Sequence, residues 1–231
     1  DVDVELTAHL RETGKEELLE ELGYEREELE YFYTRQRRQL GLGHAVLCAQ
    51  PVVGTQSFVV ALGDSIIGLH AQSKVVRTMI DRFEARRADA VIAFERVDPA
   101  DVVHYGIAKP RQNCADVFEL ADLIEKPEVD EAPSNLAVAA RYVFSPAIFD
   151  YLKRTPPGKG DEIQLTDAVR MLIREGGRVL GVTLPDEEQR FDIGNFESYF
   201  DAFLEFALSD PVYGAGLHDR LKQLLNSSKT S

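Results

Sequence analysis

Two aspartates and one Glu-Lys pair stand where this chain could act on a phosphate. Asp64 closes the apolar run of "SFVVALGD" (57–64), with Gly63 letting the backbone turn just before it. Asp192 lies in "RFDIGN", again followed by a glycine. A hard cation such as Mg²⁺ takes one or two carboxylates together with water and phosphate oxygens, so two acids at strand ends could share one ion. Each aspartate reads equally well as a turn residue that caps the next element. Glu125-Lys126-Pro127 is the third feature. Neighbours on an extended chain point to opposite faces, unless the proline forces a kink that brings both to one site. A carboxylate then suits sugar hydroxyls and an ammonium suits phosphate. An exposed ion pair is the simpler alternative.

The stretch "RRQLGLGHAVLCAQ" (37–50) sets two glycines around one leucine, then His44, before an apolar run. As a dinucleotide fingerprint it fails, because the third glycine would fall at Val46. His44 has no second histidine or acid at ligand spacing and reads as structural. Arg35, Arg37 and Arg38 could hold phosphate but read more simply as a solvated loop. Asp161-Glu162 precedes a helix, where acids are favoured by the macrodipole in any case. There is no G-x-S-x-G nucleophile motif. Cys48 and Cys114 have no C-x-x-C spacing, which argues against a disulfide framework or zinc site and fits a reducing, cytoplasmic setting.

The elements that must carry these groups alternate. "YFYTRQ" (31–36) predicts a short strand, "GHAVLCA" (43–49) a helix, and 57–64 a buried strand. Lys74 to Arg87 predicts an amphipathic helix and "DAVIAFERV" (89–97) another strand. "VFEL" (117–120) reads as an edge strand and "LAVAARYVF" (136–144) as a strand. Ser145-Pro146 reads as N-cap and N1 of the next helix. A helix over "DEIQLTDAVRMLIRE" ends at Gly176-Gly177, a strand covers 178–184, and the rest is mostly helical. Strands alternating with helices imply a three-layer α/β domain around a largely parallel sheet, whose ligands gather beyond the carboxyl ends of the strands. A single domain over 1–231 is expected, since neither repeat nor low-complexity linker divides the chain.

The 231 residues carry a formal charge of −14, and twelve acids against three bases in residues 1–30 account for nine of those fourteen. These residues read as solvated acidic helices, one with the apolar stripe Leu18, Leu19 and Leu22. So acidic a chain is a poor partner for a nucleic-acid backbone. No apolar run approaches membrane-spanning length.

Taken in order, "GLGHAVLCA", "LGDS", "YGI", "EKP", "APSNLAV" with "RYVFSP", "PPGKGDEIQLTDA" and "FDIGN" closely resemble the bacterial UTP–glucose-1-phosphate uridylyltransferases, the UDP-glucose pyrophosphorylases of the sugar nucleotidyltransferase superfamily. The resemblance runs from about residue 31 to 208. "APSNLAV" and "GDEIQLTDA" belong to this branch, whereas "EKP" is shared more widely. It implies a three-layer, Rossmann-like α/β nucleotidyltransferase fold with a mostly parallel mixed sheet. It also implies transfer from UTP to glucose 1-phosphate, giving UDP-glucose and pyrophosphate, with Mg²⁺ on Asp64 and Asp192. Gln36 and Gly41 would contact the uracil, since a Gln amide matches its imide edge and a glycine admits a flat ring. Gly106 would contact the glucose through its backbone and Glu125 would bind sugar hydroxyls. Lys126 would bind the phosphate, and Asn135 would line the sugar pocket. The family implies a cytoplasmic homodimer or homotetramer in UDP-glucose biosynthesis.

Two departures accompany the resemblance. The first metal site reads "LGDS" where the family carries a longer acidic signature. Nothing in residues 1–30 matches the family's opening strand, its G-x-G-T-R loop or its K-E-M-L-P segment, so the expectation is an N-terminally incomplete domain with its first strand missing. The rival readings are a thymidylyl- or other sugar-1-phosphate nucleotidyltransferase, and a fragment that binds sugar nucleotide without turnover.

Overall fold

The parity of buried residues along the strands decides the layers. The structure, a computed structural model, describes residues 4–21, 30–69, 73–112, 116–185 and 187–228. The chain forms two compact units, Asp1–Arg37 and Arg38–Ser231. In the first, helices α1 (Val4–Glu12) and α2 (Glu16–Glu21) are joined by a turn at Gly14, whose φ of 66° suits glycine. Leu19 is buried and Leu18 exposed, while Leu22 of the expected stripe lies outside the described residues. Residues 30–36 form neither helix nor strand, which corrects the strand expected over 31–36. Tyr31, Phe32 and Tyr33 are exposed. Their β-propensity reflects packing on a pleated neighbour, and the described residues supply no such neighbour.

The second unit follows the alternation closely. Its elements are α3 (Leu42–Leu47), α4 (Gln50–Val53), β1 (Phe58–Ala61), β2 (Ser65–Ile67), α5 (Val75–Arg86), β3 (Ala90–Arg96), β4 (Gly106–Pro110), β5 (Val117–Glu125), β6 (Leu136–Phe144), α6 (Ile148–Arg154), α7 (Leu165–Arg174), β7 (Val179–Thr183), β8 (Arg190–Asp192), α8 (Phe196–Ser209) and α9 (Gly214–Ser228). Ile92, Phe94, Tyr142 and Phe144 point to one face of the sheet, where Val46, Phe149, Leu152, Val169 and Leu172 cover them. Val91, Ala93 and Val143 point to the other, against Val75 and Met79 of α5. Alternate residues of each strand thus fill two cores, and the three expected layers result.

Among the described residues, six strands form one sheet in the order β1-β6-β3-β7-β5-β4. The sheet is mixed, and its parallel share is smaller than the expected one. β3 and β7 pair parallel, whereas β6 runs antiparallel to both β1 and β3, and β5 antiparallel to β7 and β4. β1, β3 and β7 do run in a common direction. Alternation of elements says nothing of which strand slots between them, and β6 slots between β1 and β3. Two further expectations shift for the same reason. β5 is no edge strand, since it runs on to Glu125 between β7 and β4. β1 lies at the end of the strand order and leaves Val59 exposed, so it is not fully buried. Helix α6 begins at Ile148 with Ala147 as its cap, and Ser145 and Pro146 form the preceding turn rather than the N-cap and N1.

The glycines of 41–43 have a packing reason. The Leu40 carbonyl accepts from the Ile163 N–H at 2.8 Å, and the Gly43 N–H donates to the Ile163 carbonyl at 2.9 Å. A Cβ at Gly41 would stand 2.7 Å from Glu162 Cβ, and one at Gly43 would stand 2.6 Å from the Ile163 oxygen. Only glycine lets these two segments lie so close. Gly43→Ala is expected to destabilise the fold by about 1–3 kcal/mol through overpacking. Urea unfolding checks this, and a loss below about 0.5 kcal/mol would show that the two segments slide apart freely.

Candidate active site

The short ribbon formed by β2 and β8 is what joins the two aspartates. Ser65 pairs with Asp192, Ile66 with Phe191 and Ile67 with Arg190, antiparallel. The ladder continues one step further, where the Ile193 N–H donates to the Asp64 carbonyl at 2.8 Å. Asp64 and Asp192 therefore sit side by side although 128 positions separate them in the chain. Gly194 closes the arrangement. Its N–H donates to Asp192 Oδ1 at 2.8 Å, and a Cβ there would stand 3.1 Å from Asp192 Oδ1 and 3.4 Å from Asp64 Oδ2. Any larger residue at 194 would crowd the space that both carboxylates face.

The Asp64 turn is held from beneath by Arg141. A bulge in β6 places Ala140 at φ 55° and shifts the register against β3 between Ile92 and Phe94, a device that re-aims the next side chain. The Arg141 guanidinium then donates to the Leu62 carbonyl at 3.3 Å and to the Ser65 carbonyl at 2.7 Å, one on each side of Asp64. Burial and then the charge of Arg190 pull this guanidinium below its ordinary pKa, with Asp64 opposing.

Glu125 and Lys126 converge on the other half. Lys126 takes φ 44°, a left-handed conformation, directly before Pro127. That backbone reversal lets both side chains reach one side, with Lys126 Nζ 3.9 Å from Glu125 Oε1. The other carboxylate oxygen, Oε2, accepts from the Thr166 hydroxyl at 2.7 Å. Gly106 pairs with Glu125 in the ladder, and a Cβ there would meet Glu125 Oε2 and Thr166 Oγ1 at 3.3 Å each. Beneath them lies Tyr142, whose phenol is pushed well above its usual range by burial and then by the Glu125 charge.

Arg190 connects the halves. It is nearly buried, hydrogen-bonds to Glu95 through Nε, and lies 3.6 Å from Asp192 Oδ2 through Nη1. Its guanidinium carbon stands 5.2 Å above the Tyr105 ring. The Tyr105 carbonyl in turn accepts from the Lys126 N–H at 2.9 Å. Burial drives the Glu95 carboxyl above the ordinary carboxylate range, Asp192 adds to the rise, and Arg190 opposes it.

Among the expected site residues, Asp64, Asp192, Gly106, Glu125 and Lys126 form this linked constellation. Asn135 lies at the end of β3, where its amide donates to the Val97 carbonyl at 3.1 Å. Gly41 lies against Glu162 and Ile163 as described, and Gln36 belongs to the first unit. His44 contacts Cys48 Sγ at 3.8 Å within its own helix, and Cys114 lies outside the described residues. Arg190, Arg141, Thr166 and Glu95 escaped the sequence reading. Arg190 alone carried a usable signal, because the R-x-D spacing puts both side chains on one face once "RFD" is taken as a strand. Among the described residues no cluster of three or more His, Cys, Asp or Glu could hold a metal by itself.

A sequence profile described as nucleotidyl transferase matches residues 5–208. UTP–glucose-1-phosphate uridylyltransferase 2 of Staphylococcus saprophyticus subsp. saprophyticus is 37% identical over 225 residues, covering 97% of this chain and 74% of that protein. The UTP–glucose-1-phosphate uridylyltransferase of Staphylococcus epidermidis is 36% identical over 220 residues, 95% of this chain and 74% of its own length. The solved structure of a UTP-bound UGPase from Acinetobacter baumannii superposes with a TM-score of 0.82 at 36% identity, over 97% of this chain and 76% of that one. A UDP-glucose pyrophosphorylase complexed with UDP-glucose superposes with a TM-score of 0.74 at 34% identity, over 82% and 70% of the two chains.

Proposed function

This chain belongs to the nucleotidyl transferase family, and from that premise we propose that its site joins UTP to glucose 1-phosphate. The reaction is nucleotidyl transfer. A phosphate oxygen of glucose 1-phosphate attacks the α-phosphorus of UTP, the bond to the bridging oxygen breaks, and pyrophosphate leaves from the opposite side. UDP-glucose is the product, and no covalent enzyme intermediate is required. The observation that supports the residue assignment is the pairing of Ser65 with Asp192, which brings the two carboxylates to the space over Gly194.

The chain's own residues position and neutralise. Lys126 grips the phosphate of the sugar substrate as a point charge. Glu125, oriented by the Thr166 hydroxyl, accepts from sugar hydroxyls. Gly106 lets the sugar approach the backbone, and Asn135 is assigned to the lining of the sugar pocket. The backbone at Gly41 is assigned to the uracil ring, which a glycine admits closely. Catalysis of this kind comes mostly from alignment and from charge placed where it develops.

A divalent cation suits Asp64 and Asp192. Both offer hard oxygen donors to the space over Gly194, and the Asp192 side chain is 37% exposed, leaving room for water and phosphate oxygens. When bound there, Mg²⁺ would draw charge from the phosphate oxygens as a Lewis acid. A cytoplasmic homodimer or homotetramer belongs to the same reading, and rests on the family resemblance. No described helix is long and apolar enough to cross a membrane.

A nucleotide panel with glucose 1-phosphate and Mg²⁺ tests the assignment. UTP is expected to exceed dTTP, CTP, GTP and ATP in kcat/KM by at least about tenfold, since base choice appears as differential transition-state binding. A preference for dTTP would move the chain to the thymidylyl branch. UDP-glucose binding by calorimetry with no turnover of any nucleotide would make it a binding protein.

A further inference from the structure

We propose that the notch between α5 and the β7–β5 region of the sheet is a second anion site, separate from the nucleotide site, and that it takes a small organic phosphate. The notch is an open groove of about 680 Å³, a volume within the range of small-ligand sites. Its floor is apolar. Val117 and Glu119 of β5 pair with Val182 and Leu180 of β7, so Val117 and Leu180 present their side chains on the α5 face. Its walls are basic, lined by Arg82 and Arg86 of α5 together with Arg111 and Arg178. Four guanidinium groups face two lining carboxylates, Asp116 and Glu119, in a chain whose formal charge is −14.

Two of the four arginines are already oriented. Arg111 is held by Glu119, through its Nε at 3.0 Å and its backbone N–H to the Glu119 carbonyl at 2.9 Å. Arg178 donates through Nη1 to the Arg86 carbonyl at 2.8 Å, which fixes it across the end of α5. The other two, Arg82 and Arg86, lie one helical turn apart on the same stripe. Positions three and four residues from them hold Thr78, Met79, Phe83, Ala85 and Ala90, and the one acid among them is Asp89, past the end of α5, whose Oδ2 accepts from the Arg178 N–H at 2.8 Å. Like charges at this spacing repel when nothing compensates them, and no carboxylate among the described residues pairs with either. By contrast, Arg77 on the same helix has Asp81 four residues on. Guanidinium forks match phosphate oxygens in pairs, and the apolar floor accommodates the organic part.

The basic end of the notch, at Arg86 and Arg178, is at the far end of the sheet from the aspartates, while Asp116 and Val117 of its lining reach the carboxyl end of β7. Arg86 precedes the start of β3 and Arg178 the start of β7, whereas Glu95 and the Asp64 turn lie at the carboxyl ends of β3 and β1. A seven-residue strand separates the two ends by about 20 Å. One ligand of substrate size does not bridge them.

The test uses the full ¹⁵N-labelled chain carrying Lys126→Ala, which weakens phosphate binding at the nucleotide site. Arginine Nε–Hε resonances are followed while inorganic pyrophosphate, and separately glucose 6-phosphate, is titrated at constant ionic strength. The signals of Arg82, Arg86 and Arg178 are expected to shift together along one saturable curve with each probe. Arg82→Gln and Arg86→Gln, both at exposed positions, are expected to raise the half-saturation concentration at least about tenfold while the circular dichroism spectrum stays unchanged. Shifts that grow linearly and are reproduced by chloride would overturn the site. So would a saturation curve that neither substitution moves. Saturation by pyrophosphate with no response to glucose 6-phosphate would overturn the organic-phosphate assignment.

Discussion

Exchanging Asp64 or Asp192 for asparagine is expected to lower kcat/KM for uridylyl transfer by about 10³-fold, the scale of losing a main electrostatic stabiliser. Asparagine isolates charge from shape. At position 192 it keeps an oxygen that can accept from the Gly194 N–H, now at 2.8 Å from Oδ1. At position 64 the turn is held by main-chain contacts, through Arg141 on the Leu62 and Ser65 carbonyls and Ile193 on the Asp64 carbonyl. Folding stability should therefore change by less than about 1 kcal/mol in either variant, as for most substitutions that leave packing intact. A second readout is independent of turnover. Mn²⁺ binding in the presence of UTP, followed by electron paramagnetic resonance, should weaken at least tenfold in each variant. Activity within threefold of the parent together with undiminished Mn²⁺ binding would remove both aspartates from the metal assignment.

The sequence reading and the structure agree where one residue's local environment decides the outcome, and part where a distant strand decides it. The helix over 75–86, the strands over 90–96, 136–144 and 179–183, and the three layers all follow from periodicity. So does the direction shared by β1, β3 and β7. The insertion of β6 between β1 and β3 does not, because it depends on pairing between residues far apart in the chain. The β2–β8 ribbon is hidden for the same reason. It is three residues long on each side, too short for an alternation pattern to stand out, yet it is what sets Asp64 beside Asp192. The motifs "LGDS" and "FDIGN" pointed to the two acids through family resemblance, while the residues alone left a turn aspartate equally open.

The supporting residues were the hardest to see. Arg141 matters through a bulge that gives Ala140 a left-handed backbone inside a strand, and nothing in "LAVAARYVF" announces it. Glu95 and Arg190 meet across β3 and β8, with 95 positions between them in the chain. The glycines at 41 and 43 were visible as glycines, but their reason was not. They admit the close approach of Glu162 and Ile163, so the Cβ-facing side of Gly41 is filled by protein. Contact with a uracil ring would use the backbone's remaining side.

Lys126→Ala should cost about 2–4 kcal/mol of transition-state stabilisation, a loss of roughly 30- to 10³-fold in kcat/KM, because it removes a charge-assisted phosphate contact. The backbone makes a sharper comparison available. Lys126 holds φ 44°, a conformation that costs a residue with a Cβ about 1–2 kcal/mol and glycine almost nothing. Position 126 therefore trades stability for placement, since the left-handed turn is what brings Nζ to 3.9 Å from the Glu125 carboxylate. Lys126→Gly should accordingly be more stable than Lys126→Ala by about 1 kcal/mol in urea unfolding and no more active than it. Lys126→Arg should recover part of the activity, because it restores charge without the compact ammonium. If the alanine variant kept kcat/KM within threefold of the parent, the phosphate role would fail. If glycine gave no gain in stability over alanine, the left-handed turn would be no strain at all, and Lys126 would owe its position to packing alone.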